Sequence, residues 1–221
     1  MHEIRNIAAV IFDMDGTLIN SESLTDRGIG ELLRQYAIRP GDLDYVQFHG
    51  IAWRQIENRL KHLFPALDEV DIAAFLQRRF DELSVVDPPP LLNGARAAFL
   101  EAGRHLPTAI TTGSDSKAVE RLLDSAGLRP ACTLYVSCEM HAHSKPHPEP
   151  YLLTAEKLGV PADRCLVFED SAVGLQAAKS AGMKLIAVTQ THPDHLPPDD
   201  CADGVIADYT DLPADFFSRI K

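Results

Sequence analysis

The stretch "AAVIFDMDGTLINSE", residues 8–22, decides the fold. Its opening apolar residues form an unbroken hydrophobic run of strand length, the pattern of a strand covered on both faces instead of one. The run stops at Asp13 and Asp15, two carboxylates one residue apart, followed at once by Gly16 and Thr17. Asp-Gly by itself is a common turn pair. Its weight here comes from what the rest of the chain can bring to the same strand end.

Five further apolar blocks of strand length follow: "PTAITT" (107–112), "TLYVSC" (133–138), "CLVFED" (165–170), "LIAVTQ" (185–190) and "DGVIADY" (203–209). Between them lie helical patterns. "SKAVERLLDSAG" (116–127) sets Val119, Leu122, Leu123 and Ala126 on one stripe and stops at Gly127. "PEPYLLTAEKLG" (148–159) opens on prolines and stops at Gly159, and "AVGLQAAKSAG" (172–182) has Ser171 as a candidate N-cap and Gly182 beyond its end. Strand and helix alternate from residue 94 onward, which predicts an α/β fold: a doubly wound, mostly parallel, Rossmann-like sheet.

Residues 19–88 break the rhythm. "SLTDRGIGELLRQYA", "WRQIENRLKHLF" and "VDIAAFLQRRFDELSVV" carry three- and four-residue apolar spacing, interrupted at Pro40-Gly41 and Pro65 and closed by the stiff "DPPPLLNG". The expected organisation is a catalytic core of residues 1–18 and 89–221, with a small helical cap domain, 19–88, inserted directly after the first strand. Such a cap could cover the strand ends, opening for substrate and closing to exclude water.

Composition bounds the function. With 221 residues, 45% hydrophobic and 24% charged, the chain has enough apolar surface for a real core. No apolar run approaches the roughly 20 residues that cross a bilayer, and "MHEIRNIAAVIF" has no basic leader, apolar stretch and cleavage site in series, so the expected location is the cytoplasm with no membrane partner. A net charge of −11 with scattered Lys and Arg argues against nucleic acid while leaving room for a small phosphorylated substrate in one cationic pocket. The four cysteines, Cys132, Cys138, Cys165 and Cys201, form no C-x-x-C pair and read as reduced structural residues. No long apolar surface run asks for a partner subunit, and a monomer is the simplest expectation.

In open parallel sheets, ligands bind beyond the carboxyl ends of the strands. Those ends here supply Asp13, Asp15, Gly16 and Thr17; Thr111, Thr112, Gly113 and Ser114; the loop "EMHAHSKPHPEP" with Lys145; and Glu169, Asp170 and Ser171. Carboxylates crowded into one crevice raise each other's pKa unless a hard cation such as Mg2+ sits among them. Phosphoryl transfer needs an in-line nucleophile, donors for the phosphoryl oxygens and a proton donor for the leaving group. Asp13 fits the nucleophile, which would carry an acyl-phosphate, and Asp15 the acid and base. Thr112, the Gly113 N–H and Lys145 fit the phosphate donors. Asp170 fits the metal site, with Glu169 either a ligand beside it or an acid that orients neighbours and caps the next helix.

Four stretches, "DMDGT", "TTG", "SKPHPEPY" and "VFEDS", resemble in order the signature motifs of the haloacid-dehalogenase-like (HAD) hydrolase superfamily. The resemblance covers residues 8–209, and the insert resembles the four-helix C1 cap of the subgroup with β-phosphoglucomutase and phosphoglycolate phosphatase. It implies a Rossmann-like core, an aspartyl-phosphate mechanism and Mg2+. It also implies Asp13 as nucleophile, Asp15 as acid and base with its backbone carbonyl on the metal, Thr112 and Lys145 on the phosphate, and Asp170 on the metal. An acid at Asp15 is similar to the phosphate-ester members; those attacking carbon–halogen or carbon–phosphorus bonds usually lack it. Where members often read "DGTLxDSEPLH", this chain has Asn20, Ser23 and Thr25, and after Gly50 it has Trp53, with Arg54 one later, where the mutases carry arginine. Missing cap cations count more against a mutase, which must hold a bisphosphate, than against a phosphatase. The reading is therefore a Mg2+-dependent phosphatase of a sugar phosphate or similar monophosphate, with a sugar phosphomutase as the alternative and a non-enzymatic binding module behind it.

His141, His143 and His147 share the Lys145 loop, with no nearby cysteine or acid expected at zinc spacing, and are expected to face solvent. Trp53, with Phe48, Ile51 and Ile56, is expected in the cap core, while His49 and Arg54 could face a substrate and Glu22 sits at the cap hinge.

Overall fold

The computed structural model describes residues 4–49, 51, 53–191 and 201–221. By contact density the chain divides into two units, one of Met1–Asn20 with Leu91–Lys221 and one of Ser21–Pro90.

All six apolar blocks are strands: β1 (Ala9–Phe12), β2 (Thr108–Thr111), β3 (Leu134–Val136), β4 (Cys165–Glu169), β5 (Lys184–Val188) and β6 (Gly204–Ile206). They pair in parallel throughout, in the order β3-β2-β1-β4-β5-β6. The chain builds outward from β1 to β3 on one side, then crosses back to β4 and builds outward on the other. The carboxyl ends of β1 and β4 therefore flank the point where the winding reverses, the place an open α/β sheet offers to a ligand. Strand β1 lies at that point, with Val10 opposite Thr108 on one side and Leu166 on the other.

The unbroken apolar runs are explained by burial on both faces. The helices of the segment 21–90 are α1 (Glu22–Gln35), α2 (Trp53–Leu63) and α3 (Ile72–Val86); those flanking the sheet are α4 (Ala95–His105), α5 (Ser116–Ser125), α6 (Glu149–Leu158), α7 (Ala172–Ser180) and α8 (Phe216–Arg219). Val10, Phe12, Leu166 and Phe168 point to one side, into a core shared with Phe99, Leu123 and Phe217. Ala9, Ile11, Cys165 and Val167 point to the other, against Tyr151, Ala155 and Ala178. Phe12 and Phe168, neighbours across β1 and β4, stack at 4.9 Å with their planes 7° apart, a pairing that contributes about 0.5–1.5 kcal/mol beyond buried area. This packing is directly beneath Asp13.

Ser171 caps α7 by accepting from Gly174 N–H, and Gly159 and Gly182, at φ of 69° and 74°, end α6 and α7 in the left-handed conformation that glycine adopts without penalty. Among the described residues no cysteine forms a disulfide, and burial pushes Cys132 and Cys165 up to about 11, which suits inert structural groups.

The unit Ser21–Pro90 has its own core, Ile29, Leu32, Phe48, Ile56, Leu60, Ile72 and Leu76, with Ile51 and Trp53 packed on it. Trp53 closes it by an edge contact with Phe80 at 5.6 Å and an indole N–H to Gln77 Oε1 at 2.6 Å. Where a four-helix arrangement was expected, this segment holds three α-helices among the described residues, with short turns at Val46–Phe48 and Pro65–Leu67. The linker before Val46–Phe48 favours a turn: Gly41 sits at φ 58°, and Asp44 spends its carboxylate on Val46 N–H at 3.0 Å. No helix of the described residues is long and apolar enough to cross a membrane.

Candidate active site

Asp13 follows β1 directly, and its N–H donates to Phe168 O at 3.0 Å, extending the β1–β4 ladder one step past the strand. The ladder thus fixes the Asp13 backbone against β4, where Glu169 is the last strand residue and Asp170 the next. Lys145 reaches in from the β3–α6 loop. Its ammonium donates to Asp13 Oδ1 at 2.5 Å, to Glu169 Oε1 at 2.6 Å and to Thr111 O at 3.4 Å. All three charged side chains are buried, with 11% of Lys145, 8% of Asp13 and 1% of Glu169 exposed. The Lys145–Pro146 peptide is cis.

Glu169 is the most heavily donated-to acid here. Besides Lys145, Oε1 accepts from Tyr151 Oη at 3.0 Å, and Oε2 accepts from Ser171 N–H at 2.8 Å and Ser171 Oγ at 3.1 Å. It therefore lies over the first turn of α7, where the helix dipole favours negative charge. Tyr151 also offers its ring face to the Lys145 ammonium, 4.8 Å from the centroid. Asp170 accepts from Thr17 Oγ1 at 2.9 Å and Thr191 Oγ1 at 3.4 Å. Gly16, at φ 80°, has to be glycine on steric grounds as well, since a Cβ there would lie 2.0 Å from Asp170 Oδ2.

Asp15 faces the loop after β2. Its Oδ2 accepts from Ser114 Oγ at 2.6 Å and from Thr112 Oγ1 at 3.3 Å, while Thr112 Oγ1 accepts from Ser114 N–H at 3.0 Å. The two acids of the opening motif are thus held in different ways: Asp13 by a cation, Asp15 by hydroxyls. Gly113 is exposed, and a Cβ there would meet nothing within 4 Å, so its backbone stands open to close approach by a ligand.

Electrostatics give the site its character. Burial pushes Asp13 well above the usual aspartate range; Lys145 pulls it down, but Glu169, Asp170 and Asp15 push it further up. For Lys145 burial works against the ammonium, yet Asp13 and Glu169 outweigh it and hold the lysine protonated. Negative charge is in surplus, and one buried cation does not balance it. Asp13, Glu169 and Asp170 each present an oxygen within 4.8 Å of the others. An all-oxygen donor set with excess negative charge fits a hard divalent cation such as Mg2+.

Asp13, Glu169, Asp170 and Lys145 therefore gather at the ends of β1 and β4, and Asp15, Thr112 and Ser114 form an adjoining cluster. Ser114, Thr17, Tyr151 and Thr191 had no assigned role in the sequence reading. Ser114 and Thr17 were visible at strand ends, Tyr151 closes the "SKPHPEPY" motif, and Thr191 stands directly past the "LIAVTQ" run. Of the loop histidines, His143 and His147 are exposed as expected. His141 differs: both its ring nitrogens are screened from solvent with no hydrogen-bond partner. In the unit Ser21–Pro90, His49 Nε2 pairs with Asp26 Oδ1 at 2.8 Å and Arg54 with Glu57 at 3.2 Å.

Residues 7–182 match the haloacid dehalogenase-like hydrolase family. The chain is 32% identical over 186 residues to the fructose-1-phosphate phosphatase YqaB of Escherichia coli (strain K12), a match that covers 82% of this chain and 96% of that protein. It is also 32% identical over 221 residues to hexitol phosphatase B of the same strain, covering 95% of this chain and 96% of that one. Its fold is similar to the crystal structure of a HAD family hydrolase from Deinococcus radiodurans R1 with bound phosphate and sodium, at a TM-score of 0.77 and 25% identity over 98% of each chain. This chain belongs to the haloacid dehalogenase-like hydrolase family.

Proposed function

We propose that the protein is a Mg2+-dependent phosphatase that hydrolyses a small phosphorylated metabolite, a sugar phosphate or similar monophosphate, through a phosphoryl group carried on Asp13. The observation that supports it most strongly is the Lys145 ammonium held between Asp13 and Glu169 at 2.5 and 2.6 Å, with Asp170 in ligand range. Such a centre pairs a buried carboxylate with a fixed cation at the place where a parallel sheet binds anions. The fructose-1-phosphate and hexitol phosphatases among its relatives support the substrate class.

In the proposed reaction a carboxylate oxygen of Asp13 attacks phosphorus, and the bond from phosphorus to the ester oxygen breaks. Asp15 gives its proton to the departing alcohol, then takes one from the water that attacks phosphorus in the second half. That second attack regenerates the Asp13 carboxylate and frees inorganic phosphate. Lys145, the Gly113 N–H and the Thr112 hydroxyl hold the phosphoryl oxygens, the last by leaving its 3.3 Å contact with Asp15. Asp13, Asp170 and the Asp15 backbone carbonyl are the proposed Mg2+ ligands. Glu169 stands beside them, and its four donors give it a further task, holding Lys145 in place. When bound, the ion neutralises charge on the transferring phosphoryl group.

The test is phosphate release from a panel of sugar and hexitol phosphates, with and without chelator. The expected result is Mg2+-dependent release of inorganic phosphate that chelator abolishes. An isomeric sugar phosphate formed in place of free phosphate would favour the mutase, and metal-independent turnover would overturn the proposal.

A further inference from the structure

The loop that carries Lys145 also carries a second cluster with a different donor chemistry. His143 Nδ1 lies 2.6 Å from Glu149 Oε2, and His147 Nδ1 lies 4.0 Å from the same oxygen. The two imidazole rings are 4.6 Å apart at 33°, and the donor atoms of all three residues fall within 4.8 Å of one another. We infer that His143, His147 and Glu149 form a binding site for one transition-metal dication of the zinc class, sharing no residue with the acidic site and reaching solvent on its own.

The surface ion pair with Glu149 places His143, while ring contact with His143 and the Glu149 N–H place His147, so the three donors stand gathered before any ion arrives. Backbone N–H groups donate to both Glu149 oxygens, Ala142 to Oε1 at 2.8 Å and His143 to Oε2 at 3.0 Å, so the carboxylate is fixed in place before any ligand arrives. The Glu149 N–H donates to His147 Nδ1 at 3.2 Å, so that nitrogen is the unprotonated one, and a metal would take its lone pair in place of this bond. Tetrahedral bonds of roughly 2.0–2.2 Å set donor atoms about 3.3 Å apart. The observed 2.6 and 4.0 Å lie on either side of that spacing, and both imidazoles, 65% and 51% exposed, are free to rotate the short way to it. Two imidazoles, one carboxylate and a water complete four-coordination. The imidazoles favour zinc-class ions over Mg2+, which prefers oxygen donors throughout. Glu149, two residues beyond His147, is the acid that makes His143 and His147 part of a three-donor set. Because His143 and His147 flank Lys145 in the chain, an ion held by both ties down the segment that positions the lysine.

The test is calorimetric titration of Zn2+ into the full chain with Mg2+ in large excess, on the wild type and on a His143→Ala/His147→Ala double variant. The expected result is one equivalent of Zn2+ bound in the presence of Mg2+ and an affinity at least about 100-fold weaker in the variant, whose metal-free unfolding midpoint stays unchanged. Cobalt(II) added to the wild type should give tetrahedral visible absorption that the variant lacks. No Mg2+-insensitive binding, binding of equal affinity in the variant, or Zn2+ displaced by Mg2+ would each overturn the inference.

Discussion

At the scale of single residues, the site is a matter of who donates to whom. Glu169 is buried, and Lys145, Tyr151 and Ser171 all donate to it. Tyr151→Phe removes one donor and leaves the ring. The loss of a hydrogen bond to a buried charge is expected to lower stability by about 1.5–3 kcal/mol by urea unfolding, and kcat should fall because Lys145 is less well fixed. An unchanged urea midpoint would show that Glu169 does not depend on this hydroxyl. The acids were legible in the sequence because they stand at the ends of apolar strands, and the lysine because it sits in the proline-bound loop that follows a third. The partners of the hydroxyls were not. Ser114 reaches Asp15 across 99 positions and Thr17 reaches Asp170 across 153, pairings that no local pattern encodes.

At the scale of elements, the six strands were readable because an unbroken apolar run has few alternatives in a chain that alternates with amphipathic helices. Strand ends came out shorter than the runs, since the last apolar residues turn into the loops that carry the site. Between α1 and α2 the turn at Pro40-Gly41 was legible, but the hold of Asp44 on Val46 N–H was not. Helix α7 shows how tertiary contact reverses local propensity. Gly174→Ala in an ordinary helix interior would stabilise by roughly 1 kcal/mol. Here the added Cβ would lie 1.6 Å from Glu169 Oε1, so the carboxylate has to move. The expected outcome is a net loss of about 1–3 kcal/mol, together with reduced kcat, measured by denaturant unfolding and steady-state kinetics. A stabilised, fully active variant would mean that Glu169 is free to shift.

At the scale of the whole molecule, parallel pairing followed from the alternation of elements, but the order β3-β2-β1-β4-β5-β6 did not, because sequence pattern carries no record of the side on which a strand joins. That order brings β1 beside β4 and so gathers acids from positions 13 and 170 in a chain whose net charge is −11. If these acids hold the proposed Mg2+, stability is expected to depend on that cation. Mg2+ at about 100 times its dissociation constant should stabilise the fold by roughly 2.7 kcal/mol, which for a chain of this size raises Tm by about 5–11 °C. Chelator should reverse the shift, and the Asp13→Asn and Asp170→Asn variants should show little of it. The convergence of these strand ends on one reaction is tested most directly by the turnover of Asp13→Asn with saturating Mg2+ and the best sugar phosphate. The expected result is a folded protein whose kcat has dropped by about 10⁴-fold or more. Turnover within about tenfold of the wild type would contradict a phosphoryl group carried on Asp13.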